Sequence, residues 1–166
     1  NGQMTLQATL TYSNGVFDVN DAFLGYQRSG NNQGAAASTG FAGPEGTVTL
    51  NGSAVLRVNR DLNLGYTTAS APAGTTSPER AFGKVLINQS AVCLASNIVV
   101  GGVTKLSTNN VIVVNAGKLI VTNAIGAADA RLANLTATNG GQIALHGVKV
   151  GETNIHVVTL TAPLVG

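Results

Sequence analysis

Gly46-Thr-Val-Thr-Leu-Asn-Gly-Ser-Ala54 and Gly83-Lys-Val-Leu-Ile-Asn-Gln-Ser-Ala91 lie 37 positions apart and agree at Gly, Val, Asn, Ser and Ala. Asn14 precedes Asn51 by the same 37 residues, in Ser13-Asn14-Gly15. A fixed period with a turn residue at its corner marks a repeat architecture, in which no single unit buries its own apolar face. Asn-Gly reverses the chain because it tolerates positive φ at little cost.

Upstream of the first corner, Met4, Leu6, Ala8, Leu10 and Tyr12 alternate with Thr5, Gln7, Thr9 and Thr11. A period of two predicts a half-buried strand. Val16 to Val19 and Phe23-Leu24 predict two further short strands, and the unit closes on Gly25-Tyr26, as the next closes on Gly65-Tyr66. Residues 27–40 and 67–80 are small and polar, the second with Pro72 and Pro78, and are predicted to be loops inserted between units. Downstream the units shorten: Val111 to Asn123 and Leu135 to Gly147 keep the order strand, Asn corner, strand, with corners at Asn115 and Asn139. The corner step falls from 37 to 27 and then 24, so the compact unit is the repeat and the loops are additions to it. A terminal strand over 155–166 alternates through Val158, Leu160, Ala162 and Leu164.

The fold expected is all-β, a single parallel β-solenoid domain over 1–166 with about five coils. Each compact unit is read as three short strands making one triangular turn, with Asn14, Asn51, Asn88, Asn115 and Asn139 as a ladder of corners. The alternative is an antiparallel β-sandwich. Ile125 to Leu132 is the one stretch able to form a helical turn, and it is read as non-helical.

The units Val-Phe-Asp-Val-Asn-Asp-Ala-Phe-Leu-Gly-Tyr26 and Val-Leu-Arg-Val-Asn-Arg-Asp-Leu-Asn-Leu-Gly-Tyr66 resemble the β-strand repeats of autotransporter-associated passenger domains. They resemble equally those of secreted bacterial proteins with a C-terminal sorting signal. The resemblance covers roughly residues 5 to 150. It implies a right-handed β-helix outside a bacterial cell, with a structural or adhesive role.

Composition narrows the function classes. Charged residues make up 10% of the chain and aromatics 4%, with a net charge of +2. The nine Lys and Arg are scattered, so the basic footprint of a nucleic-acid binder is missing and no nucleic-acid partner is expected. No apolar run approaches the ~20 residues of a membrane-spanning helix. A start at Asn1 rather than Met fits a processed secreted protein. Cys93 stands alone between Val92 and Leu94 and is read as a buried, inert thiol.

No catalytic constellation is evident, and the chain is read as a non-enzyme with no cofactor or metal. Its seven acids are Asp18, Asp21, Glu45, Asp61, Glu79, Asp129 and Glu152. The nearest grouping aligns Asp18 with Arg57 and Asp21 with Arg60, which predicts ion pairs between neighbouring layers on a solvated face. His146 and His156 lack partners at metal-ligand spacing and are read as surface residues. Asn51, Asn88 and Asn134 satisfy the glycosylation sequon, although a corner role accounts for the first two.

A solenoid leaves unpaired backbone at its first and last strands unless these are capped. Here both terminal segments are apolar and alternating. The function expected is therefore a structural subunit of an extracellular fibre or surface layer, joined to further copies of itself end to end or by terminal strand exchange. Met4, Leu6, Leu10, Val158, Leu160 and Leu164 lie on the strands expected to carry that assembly. The alternative is a secreted adhesin or carbohydrate-binding module, with glycan contacts at Tyr26, Tyr66 and Arg28 and the two loops as recognition elements.

Overall fold

A computed structural model describes residues 7–26, 44–67, 81–102, 109–145 and 155–161. Met4, Leu6, Arg28, His146, Leu164 and nearly all of the two expected loops lie outside the described residues. The strands are β1 (Gln7–Tyr12), β2 (Val16–Val19), β3 (Ala22–Leu24), β4 (Glu45–Leu50), β5 (Val55–Thr67) and β6 (Phe82–Asn88). They continue with β7 (Val92–Gly102), β8 (Val111–Asn115), β9 (Lys118–Ile125), β10 (Leu132–Thr138), β11 (Gln142–Leu145) and β12 (Val157–Thr161).

Two sheets result. The first has the order β1-β4-β6-β8-β10-β12; the second has β2-β5-β7-β9-β11, with β3 also on β5. Every strand pair within them is parallel, so the antiparallel sandwich is set aside. After β3 the chain alternates strictly between the sheets, which is how a parallel ladder forms without hairpins. No helix occurs among the described residues. Ile125 to Leu132 instead completes β9 and makes a tight turn in which Ala127 and Ala130 exchange backbone hydrogen bonds of 2.9 and 3.0 Å.

The core lies between the sheets. Both β4 and β6 alternate strictly between buried and half-buried residues, so only one face of each strand is packed. Parallel sheets are usually covered on both faces and read as continuous apolar runs; covering one face explains the period of two here. Inward residues stack in columns through the register. One column runs Leu10, Val48, Val85, Ile112, Leu135, Leu160 through the first sheet. Another runs Phe17, Leu56, Cys93, Leu119, Ile143 through the second. Each fully buried Leu or Ile contributes about 1.5–3 kcal/mol relative to exposure.

The triangular unit of three strands needs correction. The first unit keeps separate second and third strands, whereas the next three units fuse them into β5, β7 and β9. Two residues separate Val19 from Ala22, whereas three separate their partners Val58 and Leu62, and the extra residue is absorbed as an irregularity within one continuous strand.

The corner ladder is also corrected at both ends. Asn51, Asn88 and Asn115 share one register position, and their amides are hydrogen-bonded in sequence, Asn88 Nδ2 to Asn51 Oδ1 at 2.9 Å and Asn115 Nδ2 to Asn88 Oδ1 at 3.3 Å. Thr138, not Asn139, pairs with Asn115 in the ladder. Asn139 is the following residue, with φ of 52°, and its Nδ2 still donates to Asn115 Oδ1 at 2.7 Å. Asn14 falls out of register, because Tyr12 pairs with Leu50, 38 residues on, and this sets Ser13 beside Asn51. Register follows the core column, not the match of two Asn-Gly dipeptides. At these corners positive φ falls on the residue after each Asn: Gly15, Gly52, Gln89 and Ala116.

Candidate functional site

Two features of the surface stand out: the ends of the first sheet and an aromatic cluster beside the second. At one end no strand among the described residues lies beyond β1, and Leu10, an inward residue, is 41% exposed. Val16 and Phe17 of β2 share this end and are 62% and 48% exposed. At the other end β12 is the last strand among the described residues, and Val158 and Leu160 are 67% and 41% exposed. Between these limits, Val48, Val85, Ile112 and Leu135 are buried. The second sheet differs: Ile143 and Leu145 of β11 are buried although no strand among the described residues follows it in the sheet.

The aromatic cluster arises from the paired Gly-Tyr endings. Gly25 and Gly65 both adopt left-handed backbone, with φ of 71° and 61°. The two tyrosine rings that follow are stacked in near-parallel planes, their centroids 5.9 Å apart and their planes within 6°. Phe23 stands edge-on to both, at 5.7 Å from Tyr26 and 5.2 Å from Tyr66. These are the geometries that the ring quadrupole favours. Phe23 and Tyr66 wall an open cleft of about 480 Å³ whose polar lining includes Asp21, Arg60, Asp61 and Asn63.

The polar groups of that cleft are largely engaged with one another. Arg60 pairs with Asp21, whose Oδ1 also accepts the Asp61 N–H at 3.3 Å. Asp61 Oδ1 accepts from Asn97 Nδ2 at 2.8 Å, and Asn63 Nδ2 donates to the carbonyls of Ala22 and Asp61 at 3.3 and 3.1 Å. Beside the cleft Asp18 accepts from Arg57 at 3.0 Å and from Asn59 at 2.8 Å. Asp18–Arg57 and Asp21–Arg60 are thus pairs between adjacent layers. Exposed pairs of this kind contribute about 0.2–1 kcal/mol each.

Cys93 sits in the middle of the second inward column and is fully buried. Burial pushes its thiol up to about 12, so the thiolate is scarce at neutral pH. Tyr12, whose hydroxyl donates to the Val55 carbonyl at 3.0 Å, is likewise raised to about 12, first by burial and then by Cys93. Among the described residues no three His, Cys, Asp or Glu side chains gather where they could hold a metal ion. His156 is half-buried, and its backbone joins β9 to β10 by donating to Ile125 and accepting from Leu132.

The structure brings Tyr26 and Tyr66 together and sets Leu10 and Leu160 at opposite ends of one column. Reading by sequence missed Phe23 as the third ring of the cluster, and Val16 and Phe17 as part of the open end. The signal for Phe17 was present: it is the first member of a column, with no earlier layer to cover it. Phe23 gave no such signal, since its register partner is Asn63. Among the described residues no helix is long and apolar enough to cross a membrane. Comparison with family models, curated proteins and solved structures gave no match to this chain.

Proposed function

We propose that this protein is a right-handed parallel β-solenoid with a structural role, a subunit that joins copies of itself end to end into an extracellular fibre or surface layer. It is a non-enzyme in this reading. The observation that carries it is a pair of edges on which no described strand lies: β1 and β12 end the same parallel sheet, and each leaves core-facing apolar residues exposed. Edge strands in isolated proteins are commonly protected by charge, Pro or a covering element. Neither Gln7–Tyr12 nor Val157–Thr161 contains a charged residue or a proline. Strand addition satisfies the open backbone groups without a cofactor, and a contact between unlike ends propagates as a filament. The low charge content and the resemblance to secreted bacterial repeats support placement outside the cell.

Electron microscopy and sedimentation of the purified protein over a range of concentrations test this reading. Fibres that lengthen with concentration are expected, with Leu10→Glu and Leu160→Glu each leaving monomers. Fibres of normal length from both variants would reject it.

The aromatic cluster favours a second reading, an adhesin or carbohydrate-binding module. Exposed aromatic rings beside amide and carboxylate groups suit the apolar face and hydroxyls of a sugar. Glycan-array binding lost in Tyr66→Ala and Phe23→Ala is the expected result. Equal signal from the wild type and both variants would exclude a glycan site at this cluster.

A further inference from the structure

We infer that the joint between subunits has one defined register, with β12 of one copy adding to β1 of the next so that Leu160 meets Leu10 and Thr159-Leu-Thr161 lies on Thr9-Leu-Thr11. This rests on the assembly reading above and fixes its partner, direction and register.

The inference comes from following the ladder across the whole first sheet. Thr9 pairs with Thr47, Thr47 with Lys84, Lys84 with Val111, Val111 with Asn134 and Asn134 with Thr159. Leu10 leads in the same way to Leu160, and Thr11 to Thr161. The first and last strands therefore carry the same tripeptide, Thr-Leu-Thr, at equivalent register positions. The central Leu of each is 41% exposed, while the four residues between them in the column are at most 5% exposed. The column is thus complete except at its two ends, and the two ends match. Stacking β12 on β1 continues it without a break and places Thr beside Thr on the outer face, a favourable cross-strand pair.

Direction follows from the same geometry. Two β1 edges related by a two-fold axis would meet either antiparallel or with their inward faces on opposite sides, and so would two β12 edges. Only β12 against β1 extends the parallel ladder in the sense in which it already runs. The buried state of Ile143 and Leu145 leaves β12 as the open edge at its end. The resulting assembly is polar, every subunit pointing the same way.

Cysteine cross-linking tests the register. Thr9→Cys and Thr159→Cys replace exposed residues, and Cys93 is buried and does not compete. Neighbouring residues on adjacent strands have the Cα separation that a disulfide accepts. The two variants, mixed in equal amounts and oxidised, are expected to give a heterodimer in about tenfold excess over either homodimer. Non-reducing electrophoresis and mass spectrometry read the outcome. A dominant Thr9→Cys homodimer, or fibres that form without the heterodimer, overturns the proposed joint and leaves assembly itself standing. A chain that stays monomeric by sedimentation at every concentration overturns both.

Discussion

Gly25→Val is expected to destabilise the fold by about 2–6 kcal/mol, a large part of the ~5–15 kcal/mol that holds a domain of this kind together. Two costs coincide at this position. Its φ of 71° lies in the left-handed region, which a β-branched residue adopts only under strain. A Cβ there would also run into the Phe82 backbone, meeting its carbonyl oxygen and lying 2.7 Å from its carbonyl carbon. Backbone cannot swing aside as a side-chain tip can, so the first sheet itself would have to shift. Gly15 isolates the first cost: its φ is 88°, yet a Cβ built on it finds nothing within 4 Å. Gly15→Val should therefore cost only the conformational part, about 1–2 kcal/mol. Urea unfolding followed by circular dichroism separates the two. Equal midpoints for the variants would mean that the close approach of Gly25 to β6 does not constrain the fold.

Alkaline pH is expected to weaken the fold through Cys93. Its thiol is raised from 9.0 to about 12 by burial, so between these values the folded protein holds a proton that the unfolded chain has released. The unfolded state binds fewer protons in that window, and stability consequently falls as pH rises. The contribution is fully present below pH 9 and is lost progressively up to pH 12, amounting to about 4 kcal/mol over the three pH units. Tyr12, raised from 10.0 to about 12, acts in the same direction but begins a unit higher. Cys93→Ala removes the first component and keeps the part of the second that comes from burial. Urea midpoints at pH 8, 9.5 and 10.5 should fall steadily for the wild type, whereas the variant should hold nearly level to pH 9.5. Parallel pH profiles for the two proteins would show that Cys93 does not couple folding to protonation.

These two sites show which properties were legible before the fold was known. A buried Cys93 could be anticipated from its apolar neighbours, because its position in a period of two places it with Ala91 and Ala95 on the packed face. The constraint on Gly25 could not be. The residue that crowds it, Phe82, is 57 positions away and meets it only when the strands stack. The aromatic cluster divides in the same way. Equivalent Gly-Tyr endings marked Tyr26 and Tyr66, whereas Phe23 joins them through a neighbour relation that its own segment does not display.

The amino-acid sequence alone specified the strands, the corners and the alternation that buries one side of β4 and β6, since alternation and turn chemistry act between residues a few positions apart. It also determined that Asn51 and Asn88 belong to equivalent corners. Parallel pairing was expected from the repeat and is what forms; tertiary structure decided that two sheets form where triangular turns were expected, and that Asn14 and Asn139 stand one place off the ladder. It decided too that Leu10 and Leu160 terminate a single column. The physical reason is that register is a relation between segments tens of residues apart, settled by how inward side chains pack against one another. Matching dipeptides can agree in spacing and still miss that packing by one residue.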